Sequence, residues 1–185
     1  MTAEFPARMA LLAALLLAAS PAAAFDLHSP DFTDKSLIPE RNVFAGFGCT
    51  GGNQSPALSW TAPPAGTRSL AVTIYDPDAP TGSGWWHWLV FNLPPDSRGL
   101  PAGAGDAAKP NLPAGAVQSR TDFGISGYGG PCPPQGDKPH RYIVTVHALK
   151  VDSLPLPADA SGAMIGFNLN AASLGKATLT ARYGR

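Results

Sequence analysis

Charge is scarce in this sequence. Lys, Arg, Asp and Glu make up 14% of its 185 residues, 13 basic against 13 acidic, and no run of basic residues occurs. Binding a phosphate backbone needs clustered Lys and Arg, so nucleic acid is excluded as a partner. Long apolar runs are missing too: the stretch Met9 to Ala19 is too short to cross a bilayer, and no later segment is longer. The H-x-x-x-H and H-E-x-x-H spacings of common metal sites are absent, as is the G-x-S-x-G turn of a serine hydrolase. No cofactor is called for. Cysteine occurs only at Cys49 and Cys132, and neither belongs to a C-x-x-C pair.

What is present begins with an export signal. Arg8 supplies a positive charge, Met9 to Ala19 an apolar core, and Ser20 to Ala24 ends in a small-x-small pattern. Residues 1–24 read as a signal peptide cleaved after Ala24, with a retained N-terminal anchor as the alternative. The mature chain from Phe25, about 160 residues, is the size of one domain with a core, spanning 25–185. The expected location is periplasmic or secreted, with no membrane span once the signal is removed. There a lone cysteine pair implies one disulfide, Cys49 to Cys132, closing a loop of more than 80 residues. Two free thiols acting as nucleophile or metal ligands are the other reading. Gly and Pro number 20 each, while Trp, Phe and aliphatic residues stay plentiful. That balance suits a mainly β fold with long ordered loops rather than disorder.

The chain is organised around Tyr75 to Pro94. A strand, Leu70 to Tyr75, runs into Asp76-Pro77-Asp78-Ala79-Pro80, a Gly/Ser turn follows, and Trp86 to Leu93 forms a second strand. That segment is apolar on both faces, as a strand buried on both sides requires. His87 lies inside it and needs a buried partner, for which Asp76 is the nearest candidate. Arg141 to Lys150 and Ala177 to Tyr183 are further strands, Leu58 to Thr61 a short one, and Phe32 to Ile38 an edge strand. Asp159 to Leu169 reads as a short helix with Ala163, Ile165 and Phe167 as its apolar contacts. Pro94 to Pro139 shows almost no periodicity. Its last part, Asp122 to Gly136, is Gly- and Pro-rich and offers backbone N–H groups to an anion.

Three groups could carry chemistry: Asp76 with Asp78, His87, and His140 with Tyr142. Residues i and i+2 of a strand share a face, so His140 and Tyr142 point the same way. Two imidazoles and a phenol around one cavity would donate to an anionic oxygen, and a carboxylate beside His87 would favour its charged form. A phosphate or carboxylate head group fits this set. A two-His, one-carboxylate metal set of His87, His140 and Asp76 has no supporting spacing. His147 falls on the opposite face and reads as structural; His28 reads as solvated.

The motifs Tyr75-Asp76-Pro77-Asp78-Ala79-Pro80, His87-Trp88, Pro133-Pro134-x-Gly136 and His140-Arg141-Tyr142 resemble the phosphatidylethanolamine-binding protein family. Gly82 to Trp88 and Gly127 to Pro134 resemble its bacterial Raf-kinase-inhibitor-like branch. The likeness runs from about Leu37 to Tyr183. It implies a β-sandwich with a large antiparallel sheet and a few short helices. It also implies an anion cavity at one end, lined by Asp76, Pro80, His87, Pro134, His140 and Tyr142. A cis Ala79–Pro80 bond is expected at the rim. Asn170 and Ala172 stand where bacterial relatives often carry histidines, and the chain stops two residues after Tyr183, so a more open site is expected. The leading expectation is an exported, non-enzymatic binding protein for a small anionic or phosphorylated ligand. Two alternatives stand beside it: an inhibitor of a partner protease or kinase-like enzyme through protein contact, and a weak hydrolase using Asp76 and His87 as general base.

Overall fold

The computed structural model describes residues 24–185. The signal segment expected over residues 1–24 therefore lies outside the described residues except for Ala24. In chain order the strands are β1 (Leu27–His28), β2 (Ala45–Gly46), β3 (Cys49–Thr50), β4 (Leu58–Trp60), β5 (Ser69–Asp76), β6 (Trp85–Leu93), β7 (Gly99–Leu100), β8 (Val117–Gln118), β9 (His140–Leu149) and β10 (Ser173–Tyr183). A 3-10 turn covers Glu40–Asn42, and helix α1 (Gly162–Ala172) precedes β10. The fold is mainly β, as the composition implies.

The four long strands and β8 form one antiparallel sheet in the order β10-β9-β5-β6-β8, and β1, β4 and β7 form a smaller sheet. Alternation decides what each face buries. One face of the large sheet carries Leu70, Val72, Ile74, Val90, Val144 and Val146, packed against Leu27, Leu58, Trp60 and Leu100 of the small sheet. This makes the sandwich. The other face carries Ala71, Leu89, Phe91 and Leu149 and is covered by α1 through Ile165, Leu169 and Ala172. Each fully buried aliphatic or aromatic side chain contributes about 1.5–3 kcal/mol, so the two clusters fix which side of the sheet every polar residue occupies.

Four expectations about elements are corrected. Phe32 to Ile38 is no strand: Lys35 adopts a φ of +63°, which breaks an extended run, and only Leu37 forms a single bridge, to Arg182. The helix starts later, at Gly162, because the Ser161 hydroxyl caps it by accepting from the Met164 N–H at 3.2 Å. Its buried stripe follows the helical period through Ile165, Leu169 and Ala172, while Ala163 and Phe167, the latter 74% exposed, face outward. Lastly, β10 begins at Ser173, directly after the helix, so it is four residues longer at its start than the alternating run from Ala177 suggests.

Candidate functional site

The site lies at one end of the large sheet, where β5 ends and β9 begins. His140 and Tyr142 share a face of β9, and Asp76, the last residue of β5, faces them. His87 reaches the same place through a bulge. Ile74 pairs with Trp88 and Tyr75 with Trp86, so His87 is the extra residue opposite that step. As a result Trp88 packs into the sandwich core while Trp86 packs on the helix side, and His87 turns towards Tyr142, with ring centroids 5.1 Å apart.

These side chains surround a cavity of about 170 Å³. Asp76, Pro80, His87, Pro134, His140 and Tyr142 all line it, together with Phe47, Trp85, Phe123 and Cys132. The carboxylate is not placed as the sequence suggested. Asp76 Oδ2 accepts from His140 Nδ1 at 2.7 Å, and both side chains are buried. His87 instead donates Nδ1–H to the Gly129 carbonyl at 2.7 Å, and the Gly129 N–H donates back to the His87 carbonyl at 2.9 Å. The register explains the difference: Asp76 extends from a strand paired regularly with β9, whereas the bulge carries His87 towards the loop. The expected charged form of His87 is likewise corrected. Burial dominates and lowers its pKa from 6.5 to about 4, opposed by the Gly129 carbonyl and, more weakly, by the charge of Asp76.

His140 Nε2 lies 3.5 Å from Asp137 Oδ2, at the outer edge of the site. Tyr142 is 1% exposed, and its hydroxyl has no hydrogen-bond partner among the described residues. Burial, followed by the charge of Asp76, pushes its phenol up, so it stays a protonated donor. Asp78 is spent outside the cavity on Arg141, which accounts for its pKa of about 2.

Several amides of the glycine-rich loop are engaged in building the wall. Gly130 N–H donates to Asn53 Oδ1 at 2.8 Å, and Gly136 N–H to the Arg185 carbonyl at 3.0 Å. Gly130 cannot carry a side chain, because a Cβ there would collide with the Asn42 carbonyl and the Phe44 amide. The Ala79–Pro80 bond is trans, correcting the expected cis form. The chain reverses instead by a three-residue turn, in which the Thr81 N–H donates to the Ala79 carbonyl at 2.8 Å.

Cys49 and Cys132 form a disulfide with Cα atoms 6.0 Å apart. Sequence reasoning missed the aromatic mouth: Phe123 lies edge-on to His87 and to Trp85, each at 5.4 Å, and near-parallel to Phe47 at 5.9 Å. Solitary aromatics in glycine-rich loops were the available signal. It also missed Arg185, whose guanidinium donates to the Pro133, Gly48 and Phe47 carbonyls at 2.7–3.2 Å and ties both walls together. Asn170 and Ala172 lie on the helix side of the sheet, away from this cavity; Asn170 Oδ1 accepts from Lys176. Among the described residues no group of three or more His, Cys, Asp or Glu is placed to hold a metal ion, and no helix is long and apolar enough to cross a membrane.

Comparison with known proteins gives a consistent answer. A family model described as phosphatidylethanolamine-binding protein matches residues 28–184. The YbhB protein of Escherichia coli K12 is 53% identical over 157 residues, covering 85% of this chain and 98% of its own length. YbcL of the same organism is 49% identical over 170 residues, covering 92% and 93%. Its crystal structure, described as a new member of the mammalian PEBP family, superposes with a TM-score of 0.86 at 50% identity, covering 88% of this chain and 99% of that one. LppC of Mycobacterium tuberculosis, named as a lipoprotein, is 36% identical over 169 residues, or 90% of this chain and 77% of its own. With this fold, these motifs in order and these relatives, the chain belongs to the phosphatidylethanolamine-binding protein family.

Proposed function

We propose that the protein is an exported, non-enzymatic binding protein that holds a small anionic head group, phosphate or carboxylate, in the cavity between His87, His140 and Tyr142. The observation that carries this reading is the Tyr142 hydroxyl. It is a buried donor without a partner among the described residues, beside two imidazoles, on the wall of a cavity. Leaving such a group unpaired costs about 1–3 kcal/mol, which makes sense where a ligand oxygen supplies the missing acceptor. A volume of about 170 Å³ admits a head group and a few carbons, not acyl chains. No side chain on the cavity wall is both nucleophilic and activated by a base: Asp76 is committed to His140, and Cys132 to its disulfide. An envelope or secreted location is supported by the disulfide and by the lipoprotein name of LppC.

Calorimetric titration with phosphate, acetate and phosphoethanolamine tests the reading, with His87→Ala as control. Saturable heat that disappears in the variant is expected. Heat that is unchanged by the substitution, or absent from the wild type, overturns the assignment of the site.

A further inference from the structure

The cavity has an electrostatic peculiarity for an anion seat. Among the described residues no Lys or Arg lines it, and its one acidic wall residue is Asp76. Moreover the Gly129 carbonyl can only accept, so it fixes the His87 proton on Nδ1. Nε2, the other ring nitrogen, then carries a lone pair. His140 brings no unopposed charge, because Asp76 and Asp137 oxygens stand at its two nitrogens. Besides these, the titratable groups around His87 are Tyr142 from β9, Tyr128 across the small void behind the ring, and Asp122 from the loop after β8. The two phenols are neutral donors, and Asp122 is a carboxylate that accepts from the Trp86 N–H. The cavity thus offers an anion at least as many acceptors as donors.

We propose that this site selects anions that carry an acid proton, taking a hydrogen phosphate or a monoprotonated phosphate ester or phosphonate, and rejecting sulfate and sulfonates. The ligand's O–H donates to His87 Nε2, while its anionic oxygen accepts from Tyr142 O–H. This rests on the binding reading above and narrows it from anions in general to acids with a proton to give. A sulfonate has no such proton near neutral pH. It could only bind with His87 protonated, against the burial that holds that ring neutral down to about pH 4. A buried acceptor facing a ligand oxygen that carries no hydrogen is a repulsive contact, and discrimination built on an unmatched polar group is large.

Methylphosphonate and methanesulfonate make the test, since they match closely in size and, at about pH 6, mostly in charge, and differ by one proton. Calorimetry of the wild-type protein at about pH 6 should give methylphosphonate an affinity at least tenfold above methanesulfonate, falling as the pH is raised to about 8. Equal affinities overturn the selectivity while leaving the anion site standing. Binding of neither ligand, with inorganic phosphate and acetate also silent, removes the binding reading itself. A second measurement needs no variant: long-range 1H–15N correlation on the ligand-free protein should show His87 protonated on Nδ1 and bare at Nε2. The opposite tautomer, or a doubly protonated ring at pH 6, overturns the proposal.

Discussion

Replacing Tyr142 by Phe separates a binding role from a packing role, because the two predict opposite signs. The ring is almost wholly buried between His87 and the sandwich core, and its hydroxyl bonds to nothing among the described residues. Removing the oxygen leaves the ring's packing in place and abolishes an unpaired buried donor. At about 1–3 kcal/mol for such a donor, Tyr142→Phe should stabilise the ligand-free protein by about 1–2 kcal/mol. For a domain of this size that raises Tm by about 2–8 °C. A hydrogen bond to a charged group contributes about 1.5–3 kcal/mol, so the same change should weaken phosphate binding about ten- to hundredfold. Thermal unfolding without ligand and calorimetry with phosphate read the two effects on one sample. A lower Tm together with unaltered affinity would refute the reasoning, since the hydroxyl would then be a structural group with no part in binding.

Acid should weaken the fold through two buried histidines. His87 is held down to about 4 and His147 to about 3, both chiefly by burial, so the unfolded chain binds protons first as pH drops below 6.5. Stability is then complete above about pH 6.5 and falls towards pH 4 and 3, by up to about 1.4 kcal/mol per pH unit for each ring. Urea midpoints that do not move between about pH 7 and about pH 4.5 would contradict this. Substituting both cysteines by Ser should cost about 2–5 kcal/mol in chemical denaturation, given the 83-residue separation they bridge. Arg185→Ala should raise amide exchange around Phe47 to Cys49 and Pro133 and weaken phosphate binding several-fold, with a small change in Tm; unchanged exchange there argues against its tie. Gly130→Ala should be severely destabilising, because its Cβ meets backbone on two sides rather than a movable side chain.

How much of this was legible beforehand depended on which physical rule applied. Alternation and apolar runs located β5, β6 and β9 to within a residue, and placed His147 on the face opposite Tyr142. The mouth of the cavity followed no periodic rule. A bulge shifts a side chain without leaving a mark in the hydrophobic pattern, so Asp76 was assigned to the wrong imidazole. Glycine and proline say where a chain turns, not where its hydrogen bonds go, so the sequence did not show that the Gly129, Gly130 and Gly136 amides are engaged. Phe47, Phe123 and Arg185 meet the site from loops far apart in the chain, and only their tertiary contacts reveal it.

The covalent link joins Cys49 of β3 to Cys132 of the loop before β9, at the rim and off the five-stranded sheet. A reducing surrounding would therefore unfasten the doorway while sparing the house. The protein could remain folded, though less stable, and yet lose its grip on whatever it carries, so folding in a reducing compartment is no guarantee of a working molecule.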